Sequence, residues 1–306
     1  METLGPRLRQ FVNNTTRRIR ISGYTLAYHV VVHAMEGRAG LAPLQRFWLA
    51  LRHAADGQLP YIRYYEAGSR RERDRASAGD VKRWVSEWLS TDLNPAVQAL
   101  RMSTSMSALI EGYNAYNKSS CGVVRTTMTV SSESAAAARE PVVGRKRELF
   151  ATDRDPAPCR IGTFEVFDSA VRGLARGEAG PSALLSVDHV SSRLGVEGTA
   201  TAQAAAVFQS EGNIAVPRLA AQLGSSPRAL QRRLREEGGT AEEIRASCRI
   251  VAACGLLPSA LTLTQIAVDA GYSDLAHMSR AIKAACGLAP SLLRRTASLS
   301  GASPLH

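Results

Sequence analysis

Apolar residues recur at three- and four-residue intervals along most of the chain, the spacing that gathers them on one face of a helix. Leu26 to Glu36 and Ala42 to Ala55 both show it, the second through Leu44, Phe47, Trp48 and Leu51. Asp80 to Leu89 repeats it with Val81, Trp84, Val85 and Trp88 on one face. Asn94-Pro95 supplies a helix start, and the run from there to Tyr116 reads as helical. Phe164 to Arg176 and Thr199 to Gln209 follow, separated by Gly177, Gly180 and Pro181. Two stretches carry strand-like aromatic and β-branched content instead. One is 59–68 (LPYIRYYEAG), leading into a basic loop with Arg70, Arg71, Arg73 and Arg75; the other is 122–131 (GVVRTTMTVS). From 131 to 160 the periodicity lapses into Ser, Ala and Arg runs, then Pro141, Pro156 and Pro158 among alternating charges, the composition of an interdomain linker. Residues 1–25, with Arg7, Arg9, Arg17, Arg18 and Arg20, read as a solvated arm.

The last third of the chain contains an internal repeat. VPRLAAQLGSSPRALQRRL, beginning at Val216, is matched by LTQIAVDAGYSDLAHMSRAI, beginning at Leu263. In each copy a small residue, Ala220 or Ala267, precedes a glycine, Gly224 or Gly271, by one helical turn. The alanine lets a second helix approach closely, and the glycine can take the left-handed conformation that turns the chain, which is the physical logic of a helix-turn-helix. Ser226-Pro227 and Ser273-Asp274 supply helix starts after each turn. With Leu219, Leu223, Leu230 and Leu234 facing inward, the first recognition helix presents Arg228, Gln231, Arg232 and Arg235 outward. The second spends Ile266, Met278 and Ile282 on its core and presents Ala276, His277, Arg280 and Lys283. Arginine can bond two acceptors of guanine, glutamine can pair with adenine, and flanking cations neutralise phosphates, so the first unit is the stronger reader of bases. Between the units Ala241 to Leu257 has helical spacing, and one helix there would hold the two heads at a fixed separation, entering grooves about 34 Å apart.

Composition narrows the remaining classes. The chain has 306 residues and a formal charge of +11, a length for about two domains and a polarity suited to a polyanionic partner. Its five cysteines form no CxxC pair, which disfavours a disulfide framework and a zinc cage. No apolar run is long enough to span a membrane and no secretory leader is visible, so a cytoplasmic location is expected. No phosphate-cradling loop, nucleophile elbow or paired carboxylates appear, so no enzymatic activity and no cofactor are expected. His29 and His33 stand at the spacing of a metal pair, but without the intervening glutamate of HExxH a structural role is favoured. Trp48, Trp84 and Trp88 at helical spacing read as core before ligand floor, and Arg70 to Arg75 as a solvated run before a phosphate contact.

The segments LAAQLGSSPRALQRRLREEGG and IAVDAGYSDLAHMSRAIKAACGLAPSLLRR, with Gly271, Tyr272, Ser273, Arg280, Lys283, Gly287, Pro290 and Arg294, resemble the AraC/XylS transcriptional regulators. The resemblance covers the C-terminal double helix-turn-helix only; the N-terminal region carries no motif of the family. It implies a bacterial activator of transcription with Arg228, Gln231 and Arg232, and Ala276, His277 and Arg280, at base-facing positions. Met278, Ile282 and Leu234 depart from the aromatics the family often has; as inward aliphatics they should loosen the packing without changing the fold. The family's usual N-terminal cupin barrel is not expected, because 26–130 lacks its many short strands.

The fold class is therefore mainly α, an all-α double helix-turn-helix domain at 213–297 preceded by a mixed α/β, helix-rich N-terminal domain. The expected division is a regulatory or oligomerisation domain at 1–130, a linker at 131–160, a helical connector at 161–212 and a tail at 298–306. Double-stranded DNA is the expected partner, with RNA polymerase, a second copy of the chain and a small-molecule effector as further candidates, and no membrane. A DNA-anchored adaptor without ligand sensing is the alternative, and a DNA-processing protein would need an acidic metal cluster that the sequence lacks.

Overall fold

The computed structural model describes residues 26–37, 40–57, 59–120, 124–130, 143–150 and 155–298. Six helices open it: α1 (Leu26–Met35), α2 (Pro43–Ala55), α3 (Tyr61–Arg73), α4 (Ala78–Leu89), α5 (Pro95–Met102) and α6 (Met106–Ser120). Strands β1 (Val124–Val130) and β2 (Val143–Leu149) pair antiparallel, with Thr127 opposite Lys146. Helices α7 (Ala157–Ala175), α8 (Val187–Leu194) and α9 (Ala200–Glu211) follow, with a short 3-10 turn at Pro181–Ala183 between the first two. The tail consists of α10 (Val216–Gln222), α11 (Pro227–Glu236), α12 (Ala241–Leu256), α13 (Leu263–Asp269), α14 (Leu275–Cys286) and α15 (Pro290–Ser298). The chain is thus mainly α, as its periodicity implies. The arm at 1–25 and the tail beyond Ser298 lie outside the described residues.

Three sequence expectations are corrected. The stretch 59–68 is not a strand: it forms the first part of α3, because Tyr61, Tyr64, Tyr65 and Gly68 fall one helical turn apart and are all buried on one face. The aromatic content that suggested a strand serves a helical core. Of the basic loop expected to follow, Arg70, Arg71 and Arg73 belong to the last turn of the same helix, where they suit the negative end of its dipole, and Arg75 lies just past its end. Arg71 is also packed, with its guanidinium over the Trp84 ring and Nε donating to the Met35 carbonyl at 2.6 Å. Within the stretch expected to be a linker, 143–149 is strand β2 and Ala157 opens α7. Alternating charges hid β2: Arg145 pairs with Asp168 at 2.6 Å, while Arg147 turns inward to Asp155 and the Tyr64 hydroxyl.

Helix α4 starts at a capping box, Ser77 with Asp80. Asn94 caps α5, its Oδ1 accepting from the Ala96 N–H at 3.0 Å with Pro95 in the first helical position.

The cores do not respect the sequence division. One cluster joins Trp88, Tyr113 and Phe167 to Ile266, Met278 and Ile282 of the second helix-turn-helix. Another joins Phe47, Trp48 and Leu51 of α2 to Leu219, Leu230 and Leu234 of the first and to Ile244 of α12. A third, around Tyr64, Tyr65 and Cys159, belongs to the N-terminal part alone. Each fully buried side chain of this size contributes about 1.5–3 kcal/mol of transfer free energy, so these shared clusters hold the two parts together.

A buried polar cluster lies beneath α2 and α5. Asp92 accepts from Trp88 Nε1 at 2.8 Å and from the Asn94 N–H at 2.8 Å, and lies 2.9 Å from His29 Nε2. The His53 ring stacks on His29 at 5.6 Å, and the His33 ring lies 4.3 Å from His53 and 4.8 Å from Trp88. Burial by itself would raise the Asp92 carboxyl, but the charge and hydrogen bond of His29, followed by the Asn94 N–H, outweigh it and bring the carboxyl down to about 2. A carboxyl depressed in the folded state stabilises above its unfolded value and loses that contribution as pH falls through the folded one. Stability should therefore fall between about pH 4 and pH 2, and Asp92→Asn should flatten that interval while costing about 2 kcal/mol at neutral pH. Urea unfolding across the pH range checks both; an unchanged acid limb in the variant would remove Asp92 from the account.

Candidate nucleic-acid interface

The first unit is built as its sequence dictates. Leu219 and Ala220 of α10 are fully buried, and Gly224 takes φ +60°, turning the chain where a side chain would be strained. The Ser226 hydroxyl then accepts from the Ala229 N–H at 3.2 Å and starts α11, with Pro227 in its first position. Leu230 and Leu234 are fully buried, whereas Arg228, Gln231, Arg232 and Arg235 are exposed. Leu223, expected among the inward residues, is half-buried at the end of α10. Arg232 lies 3.7 Å from Glu236 one turn on, an exposed pairing too weak to hold the side chain against a better anion.

The second unit repeats the geometry with different chemistry. Thr262 and Gln265 form a capping box at α13, Ile266 and Ala267 are fully buried, and Gly271 takes φ +80°. The helix start falls on Asp274, whose Oδ1 accepts from the His277 N–H at 2.7 Å. That N–H, followed by the Ser273 hydroxyl, holds the Asp274 carboxyl below the usual range. Met278 and Ile282 are fully buried, as inward positions should be, and Ala276, Arg280 and Lys283 are exposed. His277 is half-buried: its Nδ1 lies 3.1 Å from the Ser273 hydroxyl and its ring stands edge-on to Tyr272 at 5.2 Å. One nitrogen of that imidazole is thus committed to the turn.

Helix α12 joins the units. Thr240 caps it, and Ile244, Cys248 and Val251 are buried against α2 and α9. The Ser247 hydroxyl donates to the Leu51 carbonyl of α2 at 2.6 Å. Trp48 lies against the turn that follows α11, so close that a Cβ on Gly239 would sit 2.1 Å from its ring. Arg52 donates to the Gly238 carbonyl at 2.6 Å and pairs with Glu243 at 3.2 Å. Glu237 at the end of α11 reaches the other way and accepts from the Ala200 and Thr201 N–H groups at the start of α9.

Two arrangements escaped the sequence reading. The clamp of Trp48 and Arg52 on α12 was hidden because an amphipathic helix shows that it is buried, not against what. Arg294 donates to the Leu257 and Leu261 carbonyls at 3.1 and 2.6 Å, pinning the loop between α12 and α13. Its place in the motif was visible, but its bonds to distant carbonyls were not.

Residues 219–296 match a family model described as a helix-turn-helix domain. The C-terminal part of the chain is accordingly a helix-turn-helix domain of the AraC type, the kind of DNA-binding domain that transcription regulators carry. No curated protein matches the chain. Among solved structures, the transcriptional regulator CdpR from Pseudomonas aeruginosa is 17% identical over 85% of this chain and 98% of its own, with a TM-score of 0.31, too low for the likeness to speak to shared arrangement. Among the described residues, no helix is long and apolar enough to cross a membrane.

The two turn glycines should respond differently to substitution. Gly224 has open space around its missing side chain, whereas a Cβ on Gly271 would lie 3.2 Å from Asn213 Cβ. Gly224→Ala should cost about 1–2 kcal/mol from the left-handed backbone alone, and Gly271→Ala more than that. Thermal unfolding of the two variants checks the order.

Proposed function

We propose that the protein is a sequence-specific DNA-binding regulator of transcription that places α11 and α14 in successive major grooves of one duplex. The observation that carries the reading is the sorting of α11: every residue expected to read DNA on it is exposed, while the leucines between them are fully buried. Arg228, Gln231 and Arg232 would read base edges, and Arg235 and Lys283 would neutralise phosphates. Ala276, His277 and Arg280 form the counterpart on α14, where the small Ala276 admits an apolar base edge and Arg280 supplies the charge. The face of α11 is the richer in donors and dominates base readout. Activation, through contact with RNA polymerase, is the role implied by the resemblance to the AraC/XylS regulators.

Selection of bound sequences from random DNA by the full-length chain tests the reading. An asymmetric site with two conserved blocks about one helical turn apart is expected, and failure to enrich any sequence would contradict it. On the selected site Arg232→Ala should cost about 1–3 kcal/mol and relax preference at one base position, whereas Lys283→Ala should weaken all sequences alike and reduce the salt dependence. Fluorescence-anisotropy titrations on matched and single-base-changed duplexes separate the two effects.

A further inference from the structure

A cavity of about 430 Å³ lies between α5, α7, the 3-10 turn and the start of α8, within the size range of small-molecule sites. Its apolar wall comes from Leu89, Val97, Leu100, Val166, Leu184 and Leu185. Arg101 lines it from the end of α5. That guanidinium donates through Nη2 to the Leu89 carbonyl, while its Nε is fully buried and has no hydrogen-bond partner among the described residues. Burial lowers its pKa from the ordinary value, with Asp92 opposing the shift and Arg193 adding to it. Asp92 is itself engaged by Trp88, His29 and Asn94. At the mouth, Glu178 is taken up by Arg176 at 2.6 Å, both exposed, and His189 is exposed beside them. Arg101, half-buried, therefore brings a guanidinium charge to a chamber walled largely by leucine and valine, where an accepting anion is favoured.

We propose that this cavity binds a small organic monocarboxylate, its carboxylate accepting from Arg101 and its hydrocarbon body lying along the leucine and valine wall. One half-buried cation matches one negative charge, and a planar guanidinium suits a carboxylate. A phosphate would bring more charge than the lining answers. Ser169 and Ser182 supply additional hydroxyls.

The same helix that holds Arg101 touches α14 at one end and α15 at the other. Asn94, the cap of α5, donates to the Ala285 carbonyl of α14 at 3.0 Å, and Ser103, just past its end, donates to the Thr296 carbonyl of α15 at 3.2 Å. Leu184 of the cavity wall lies against α12, close enough that a Cβ on Gly255 would be 3.4 Å from its Cδ2. A ligand that shifts α5 therefore shifts the seat of α14, and occupancy alters DNA affinity. This second half rests on the DNA-binding reading above; ligand binding itself does not.

Isothermal titration calorimetry of the full-length chain with octanoate and with octanamide, in the absence of DNA, tests the site. Octanoate should bind once per chain and at least tenfold more tightly than octanamide; Arg101→Met should abolish that preference, and Arg101→Lys should keep part of it. Ala170→Phe, which fills the cavity from α7 and leaves Arg101 unsubstituted, should abolish binding of both probes and serves where Arg101→Met does not fold. Equal affinities for acid and amide, or octanoate binding unchanged in Ala170→Phe, would overturn the site. Saturating octanoate should change the affinity for the selected duplex at least threefold, and an unchanged affinity would overturn the coupling. Loss of DNA binding altogether would leave the calorimetry standing and fall on the function proposed above.

Discussion

The burial of α12 is the constraint on which the rest depends. A helix between two helix-turn-helix units fixes their separation only if it is itself immobilised, and α12 is held on two sides: α9 packs on one, α2 on the other. Apolar contact through Ile244, Cys248 and Val251 supplies the attraction. The Ser247 hydrogen bond, the Trp48 contact at Gly239 and the Arg52 bonds at Gly238 and Glu243 supply the register. Because α2 comes from the N-terminal part, the DNA-binding domain is completed by residues far away in sequence. Interiors packed in this way respond to strain by shifting between arrangements, not by deforming smoothly.

Around that axis the two units share a backbone and differ in chemistry. Each turns at a left-handed glycine and starts its outer helix with a side-chain cap, so the exposed faces of α11 and α14 are set by local rules. The side chains on those faces are a separate choice. Helix α11 carries three arginines and a glutamine outward; α14 carries an alanine, an arginine, a lysine and an imidazole tied to its own turn. In the proposed reading, such a division would let one unit discriminate among bases while the other adds affinity and register.

Much of this was legible in the residues. The repeat, the glycines and the Ser226 cap located both units, and the 3.6-residue periodicity of Leu230 and Leu234 separated inward from outward on α11. The N-terminal part was less legible for identifiable reasons. Tyr61, Tyr64 and Tyr65 have strand propensity as residue types, yet their spacing serves a helix, and packing overrode composition. Strand β2 was hidden because its arginines find their acids, Asp155 and Asp168, in a following segment. The joining of the two parts through shared cores could not be read at all, since an apolar face does not name the face it meets.

In the proposed function, α11 and α14 form one rigid reading surface. Methylation interference at guanine N7 on the selected duplex tests it most directly. Two clusters of interference, about ten base pairs apart on one face of the duplex, should appear, with Arg232→Ala removing one and Arg280→Ala the other. A single cluster, or one that both variants weaken alike, would contradict it.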